Sequence, residues 1–231
     1  MIEFPNFDLL SHALSEKIAR QLSQAIDKNG QALLAVSGGS TPKSLFIKLS
    51  KIDIDWQKVW IVLVDERWLD SNDKNSNEHL VKTSLLTGLA AKANFVPLKS
   101  KSDTAKLGQD HCNDLLKKLP NSIDVLVLGM GDDGHTASIF PCANKELLQS
   151  LLSTDNPLRA MAITPNTAPY ERMSLTACYL LTSEYSYLLL KGPQKLITFN
   201  KALGGNDTEK MPIRAFIHKH SAALEVYYAQ Q

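Results

Sequence analysis

Leu10, Leu14, Ile18, Leu22 and Ile26 recur at every fourth position, so one apolar stripe runs along residues 7–28 and predicts an amphipathic helix, stopped by Asn29-Gly30. The run that follows, Gln31–Val36, is apolar without helical spacing and predicts a buried strand. It breaks into Ser37-Gly38-Gly39-Ser40-Thr41, after which Lys43–Leu49 reads as a helix with Pro42 at its first position. Val59–Val64 is a second buried strand, followed by Asp65-Glu66-Arg67-Trp68, a polar loop Asp70–Asn77 and a helix from Glu78 to Leu86 that closes near Gly88. Residues 102–118 predict another helix, with Leu107, Leu115 and Leu116 inward and Lys117 and Lys118 near its C-terminal end. Ile123–Leu128 is the third buried run. Ala160–Thr164, Met173–Leu181 and Tyr185–Leu190 read as further strands, Pro193–Leu203 as a helix ended by Gly204-Gly205, and Leu224–Tyr228 as the last strand.

Apolar strands alternating with amphipathic helices predict an α/β fold, a largely parallel sheet with helices on both faces. There is no internal repeat and no linker, so residues 1–231 are expected to form a single domain, with room for a small inserted portion. Lys+Arg 25 against Asp+Glu 24 leaves no broad charge footprint for nucleic acid or membrane, and neither partner is expected. Any anion site must be local. The N-terminal residues lack a basic and then apolar leader pattern, and no apolar run approaches the roughly 20 residues that span a bilayer. Cys112, Cys142 and Cys178 show no C-x-x-C spacing, which suits a reducing cytoplasm. A cytoplasmic monomer is expected, with an oligomer left open.

In a parallel sheet the carboxyl ends of the strands share one edge, and ligands bind in the crevice there. Three loops leave that edge: Ser37–Thr41, Asp65–Trp68 and Gly129–His135. The last carries G-x-G-x-x-G spacing in Gly129-Met130-Gly131-Asp132-Asp133-Gly134. A dinucleotide is a poor fit, because two carboxylates would face its pyrophosphate and no acidic residue ends a strand about 20 positions on; Asp155 falls in a polar loop. His135, directly after the third glycine, is a candidate general base, since a neutral imidazole accepts a proton near physiological pH. A helix-start histidine satisfied by backbone is the plainer alternative. Asp133 is placed to orient the turn or a substrate hydroxyl, and Asp132 is expected to face solvent.

Ser37-Gly38-Gly39-Ser40-Thr41 offers successive N–H groups and hydroxyls to a phosphate, or is an ordinary strand-to-helix turn. It matches neither a Walker loop nor a serine-hydrolase elbow. Asp65-Glu66-Arg67 is either a solvated charge cluster or, at a strand end, a clamp in which Arg67 grips a phosphate through paired donors. His12, His79, His111, His218 and His220 lack comparable settings. His218-x-His220 has no third ligand at recognisable spacing, so no metal is expected.

At these residues the chain resembles the glucosamine-6-phosphate isomerase/6-phosphogluconolactonase family, on its lactonase side. The matching segments are Ser37–Pro42, Asp65-Glu66-Arg67 with Ser76-Asn77, Gly129–Pro141, Glu171–Thr176 and Gly192–Lys195. The resemblance implies a Rossmann-like fold shared with glucosamine-6-phosphate deaminases and ribose-5-phosphate isomerases. It implies hydrolysis of 6-phospho-D-glucono-1,5-lactone to 6-phospho-D-gluconate in the oxidative pentose phosphate pathway, with no metal and no cofactor. It also implies that Ser37, Gly38, Gly39, Ser40, Thr41, Arg67, Gly134, Arg172 and Lys195 hold the substrate, chiefly by its phosphate. His135 becomes the general base, with Asp133 and Asp65 beside it in the catalytic set.

Ser174 stands where the family usually has threonine, and Leu224–Gln231 lacks the tryptophan and aspartate often seen there. Two other readings share the loops. A sugar-phosphate deaminase reads Ile-Ala-Phe-Asn-Glu-Pro after its histidine; here Thr136–Pro141 puts Phe140 at the glutamate position, and phenylalanine carries no proton. A non-catalytic sugar-phosphate sensor would not need His135 beside Asp133, and no output module is evident.

Overall fold

The computed structural model describes residues 1–219 and 224–231. In chain order the first half contains β1 (Ile2–Phe4), α1 (Phe7–Asn29), β2 (Ala32–Val36), α2 (Lys43–Leu49), β3 (Val59–Leu63), β4 (Asp65–Arg67), α3 (Asn77–Ser84), β5 (Asn94–Val96) and α4 (Ala105–Leu116). The second half contains β6 (Val125–Leu128), α5 (Lys145–Leu152), β7 (Ala160–Ile163), β8 (Arg172–Leu175), α6 (Ala177–Leu180), β9 (Tyr185–Lys191), α7 (Pro193–Leu203), α8 (Arg214–Lys219) and β10 (Glu225–Ala229).

The helix expected over 7–28 is α1. Asn6 caps it by accepting the Leu9 N–H, and Gly30 ends it in the left-handed region at φ 77°, where a Cβ would be strained. Its stripe, Leu10, Leu14, Ile18 and Leu22, is fully buried. β2 and β6 are buried at every position, as strands covered on both faces must be. They sit side by side in a seven-stranded sheet of order β1-β10-β9-β6-β2-β3-β5. Every pairing within it is parallel. From β2 the chain builds outward through β3 and β5, then returns to lay β6, β9 and β10 on the other side. Connections therefore diverge between β2 and β6, which opens a crevice beyond their carboxyl ends.

A three-stranded sheet, β4-β8-β7, is antiparallel and separate. Val64 is the join: its N–H bonds Val36 O of the main sheet, and its carbonyl accepts the Leu175 N–H of the small one. Register pairs Asp65 with Ser174 and Arg67 with Arg172.

This corrects four expectations. β7 and β8 lie outside the parallel sheet, and Met173–Leu181 is not one strand but the end of β8 followed by helix α6 capped by Thr176. Leu107 is 69% exposed rather than inward; Ala105, Gly108 and Cys112 face the core instead. Pro42 precedes α2 and is not its first residue. The short strands β1, β4 and β5 and the helices α5 and α8 carried no periodic signal long enough to read. No helix among the described residues is long and apolar enough to cross a membrane.

Candidate active site

The β2–β6 crevice is a cleft of about 330 Å³. Ser37–Thr41, Gly129–Gly131 and His135 form its floor, Asp65, Arg67 and Arg172 one wall, and Lys191 and Lys195 the opposite end. Three chain segments far apart in sequence thus meet there. Ser37 closes the floor: its hydroxyl donates to Val127 O at 3.0 Å and accepts the Gly129 N–H at 2.9 Å. That hydroxyl is spent on joining the two strand ends, which leaves Ser40 and Thr41 as the hydroxyls free for a ligand. Gly38 is required because a Cβ there would overlap the Asn77 side-chain amide.

The glycines of the β6 loop have specific causes. A Cβ on Gly131 would overlap the His135 ring, and Gly134 adopts φ 82° with Met211 packed against its Cα. The turn closes on itself through Gly131 N–H to His135 O at 2.8 Å and Gly134 N–H to Gly131 O at 3.1 Å. Within it, Asp133 Oδ1 accepts the His135 N–H at 3.0 Å and lies 2.6 Å from the ring Nδ1. Burial alone would raise the Asp133 carboxyl, but the bonds and charge of His135 outweigh it and hold it below its ordinary value. The other face of the imidazole is fixed by Phe140, 4.2 Å between ring centroids, and the Arg172 guanidinium lies 5.2 Å from the same phenyl ring. Thr136 donates to Gly129 O at 2.8 Å, tying the segment after the histidine back to the floor.

The facing wall is buried. Asp65 Oδ2 accepts from the Ser138 hydroxyl at 2.5 Å and lies 3.7 Å from Arg172 Nη1. Asn77 Nδ2 donates to the Asp65 carbonyl at 2.8 Å. Glu66 is 1% exposed and accepts from the Arg67, Asn77 and Glu78 N–H groups and the Ser76 hydroxyl. It thereby pins the N-terminus of α3 to β4. Burial pushes its carboxyl up to about 7, against the pull of those four donors. Asp65 and Glu66 are therefore buried, hydrogen-bonded groups and not a solvated cluster. Arg67 Nη1 donates to Asn75 O at 2.6 Å, while the Nε atoms of Arg67 and Arg172 are buried without a partner among the described residues. Burial lowers the Arg172 pKa, Asp65 opposes the shift and Arg67 adds to it. Two guanidiniums side by side with unspent donors make a wall built for an anion.

Of the residues read from sequence, Ser37–Thr41, Asp65, Arg67, His135, Arg172 and Lys195 line the cleft. Asp133 and Gly134 stand behind His135 rather than in the cleft. Lys195 is 2.7 Å from Asp132, which faces solvent. Four residues were missed as site residues: Asn77, Ser138, Phe140 in its contact role, and Lys191. Asn77 and Ser138 lay inside the matching segments; nothing in the pattern marked Lys191. His218 bonds Gly205 O from the surface, and His220 lies outside the described residues. Among the described residues no group of three His, Cys, Asp or Glu is arranged to hold a metal ion.

A parallel α/β sheet whose switch-point crevice is lined by a histidine, backed by an aspartate, together with two arginines and two lysines defines a Rossmann-like protein with a cationic cleft. The chain belongs to the glucosamine-6-phosphate isomerase/6-phosphogluconolactonase family, whose model matches residues 5–226. It is 39% identical to the 6-phosphogluconolactonase of Pseudomonas putida, over 98% of this chain and 91% of that one. The crystal structure of a 6-phosphogluconolactonase from Shewanella baltica superposes with a TM-score of 0.95 at 42% identity, covering 98% of this chain and 96% of that one. A monomeric glucosamine-6-phosphate deaminase superposes with a TM-score of 0.80 at 20% identity, over 99% and 96% of the two chains, a likeness of fold alone.

Proposed function

We propose that this chain hydrolyses 6-phospho-D-glucono-1,5-lactone to 6-phospho-D-gluconate, a step of the oxidative pentose phosphate pathway. The observation that carries the reading is His135, held by Asp133 at 2.6 Å, lining the same cleft as Arg67 and Arg172. Asp133 accepts a hydrogen bond from Nδ1–H, which leaves the Nε2 lone pair of the neutral ring to take a proton from water. The water oxygen attacks the lactone carbonyl, and its proton passes to Nε2. The N–H groups of Gly129, Gly131 and Gly134 are already bonded within the fold, so the oxyanion falls to a cation of the arginine wall. Collapse of the tetrahedral intermediate breaks the ring C–O bond, and the imidazolium returns its proton to the departing ring oxygen.

Arg67, Arg172, Lys195 and the Ser40–Thr41 loop hold the substrate, with the phosphate as main anchor. Anchoring a remote phosphate positions the carbonyl over the histidine, and that orientation supplies much of the acceleration. Asp65 acts through others: it holds Arg172 and Ser138 in place. Phe140 supports the hydrolase reading over the deaminase one, because the position next to the imidazole carries no proton.

The test is hydrolysis of 6-phosphogluconolactone by pH-stat, corrected for the spontaneous rate, with unphosphorylated gluconolactone alongside. Strong preference for the phosphorylated lactone is expected. Equal rates on both would contradict the phosphate anchor, and ammonia release from glucosamine 6-phosphate would overturn the reaction class.

A further inference from the structure

Beside the cleft lies a second hollow of about 450 Å³. Ser40, Thr41 and Lys191 line both, so the two adjoin along these residues. Its charge is one-sided. Lys43, Lys48, Lys51 and Lys191 border it, against Asp8 alone. Asp8 is taken up by Lys48 at 2.8 Å. Among the described residues, Lys43, Lys51 and Lys191 form no ion pair.

This patch does not follow from the chain as a whole, whose formal net charge is +1. Nor does element stability require it. Lys43 opens α2, where the partial positive charge of a helix end disfavours a cation. Lys191 ends β9 with its ammonium 5.4 Å from the Phe7 ring, held at the boundary between hollow and cleft.

We propose that the lysine-lined hollow is the approach path of the phosphorylated lactone, a capture site that delivers the phosphate across Ser40 and Thr41 into the cleft. This rests on the lactonase reading. A phosphate monoester carries close to two negative charges at neutral pH. Unpaired lysines lining a concave surface raise its local concentration. Because Lys43, Lys48 and Lys51 lie outside the cleft, they act on encounter and binding rather than on the chemical step, and salt screens them.

The experiment is the double variant Lys43→Glu/Lys51→Glu, two exposed side chains outside the cleft. On the phosphorylated lactone at low ionic strength, kcat/KM is expected to fall about five- to tenfold with kcat unchanged, and the difference to shrink below about twofold near 0.5 M salt. Hydrolysis of unphosphorylated gluconolactone should not change. An unaltered kcat/KM at low salt, a loss that persists at high salt, or an equal loss on both lactones would each overturn the proposal. Absence of lactone hydrolysis by the wild-type chain would sink the catalytic reading instead. The affinities of wild type and variant for 6-phosphogluconate, compared with those for gluconate, then decide the hollow on their own: weaker phosphate-dependent binding in the variant supports it, and identical affinities refute it.

Discussion

On one wall of the cleft a single unbroken stretch, Gly129–Pro141, holds the proposed base His135, its Asp133 partner, the glycines that make room for the ring and the phenyl ring behind it, all local to one another. On the other, Arg67 and Arg172 are neighbours only because β4 and β8 pair antiparallel, with Asp65 and Asn77 fastening that pairing from behind. The first wall is half open to water: the His135 side chain is 28% exposed and that of Asp133 40%. The second is sealed, with Arg172 and Asp65 each 8% exposed at the side chain. A local turn can present a proton acceptor cheaply. Holding two guanidiniums together requires burial, counter-charge and a sheet of its own. Damage to the first wall should therefore cost rate, and damage to the second should cost both rate and fold.

The largest effect is expected on the local wall. His135→Asn keeps the fold and removes the proton acceptor, so kcat should fall about 10³-fold with the melting temperature within a few degrees of wild type. A kcat near normal would remove His135 from its role. Arg172→Met tests the buried wall: kcat/KM should fall about 10²-fold, and unfolding free energy by about 3 kcal/mol, because Asp65 is left buried without its counter-charge. Adding Asp65→Asn should restore much of the stability and none of the turnover; urea denaturation of both variants reads this directly.

Gly131→Ala is a subtler break of the local wall. Its Cβ would overlap the imidazole, so the ring must move, and kcat should drop about thirtyfold while the fold persists. The smallest effect is expected for Asp133→Asn, which keeps shape and removes the charge that steadies the imidazolium; about tenfold in kcat, with KM unchanged, is the expected outcome. The folded-state pKa of Asp133 lies below its unfolded value, so its contribution to stability is present above about pH 4 and is lost as pH falls further. Acid titration of stability should accordingly be shallower in Asp133→Asn than in wild type.

How far the sequence could be read follows the same division. The stripe on α1, the apolar strands β2, β3 and β6 and the glycine turn were legible, because each depends on neighbours within a few positions. Misreadings fell where contacts across the fold override local pattern. Met173–Leu181 looks like one apolar strand, yet Thr176 caps a helix in the middle of it. Leu107 sits at helical spacing but projects into solvent, because Gly108 is where Trp68 packs on α4. Lys191 gave no signal at all, since a lysine after an apolar strand is commonplace until the strand order puts it beside the cleft.

By itself the sequence determined the parallel α/β class, the family and the glycine turn that carries His135, because hydrophobic period and a contiguous turn are properties of the chain. Tertiary structure alone decided that the Ser37 hydroxyl joins two strand ends, that Asp65 and Glu66 are buried, and that lysines from α2 and β9 border one hollow beside the cleft. Those outcomes depend on which strand ends lie together, and no local spacing encodes that.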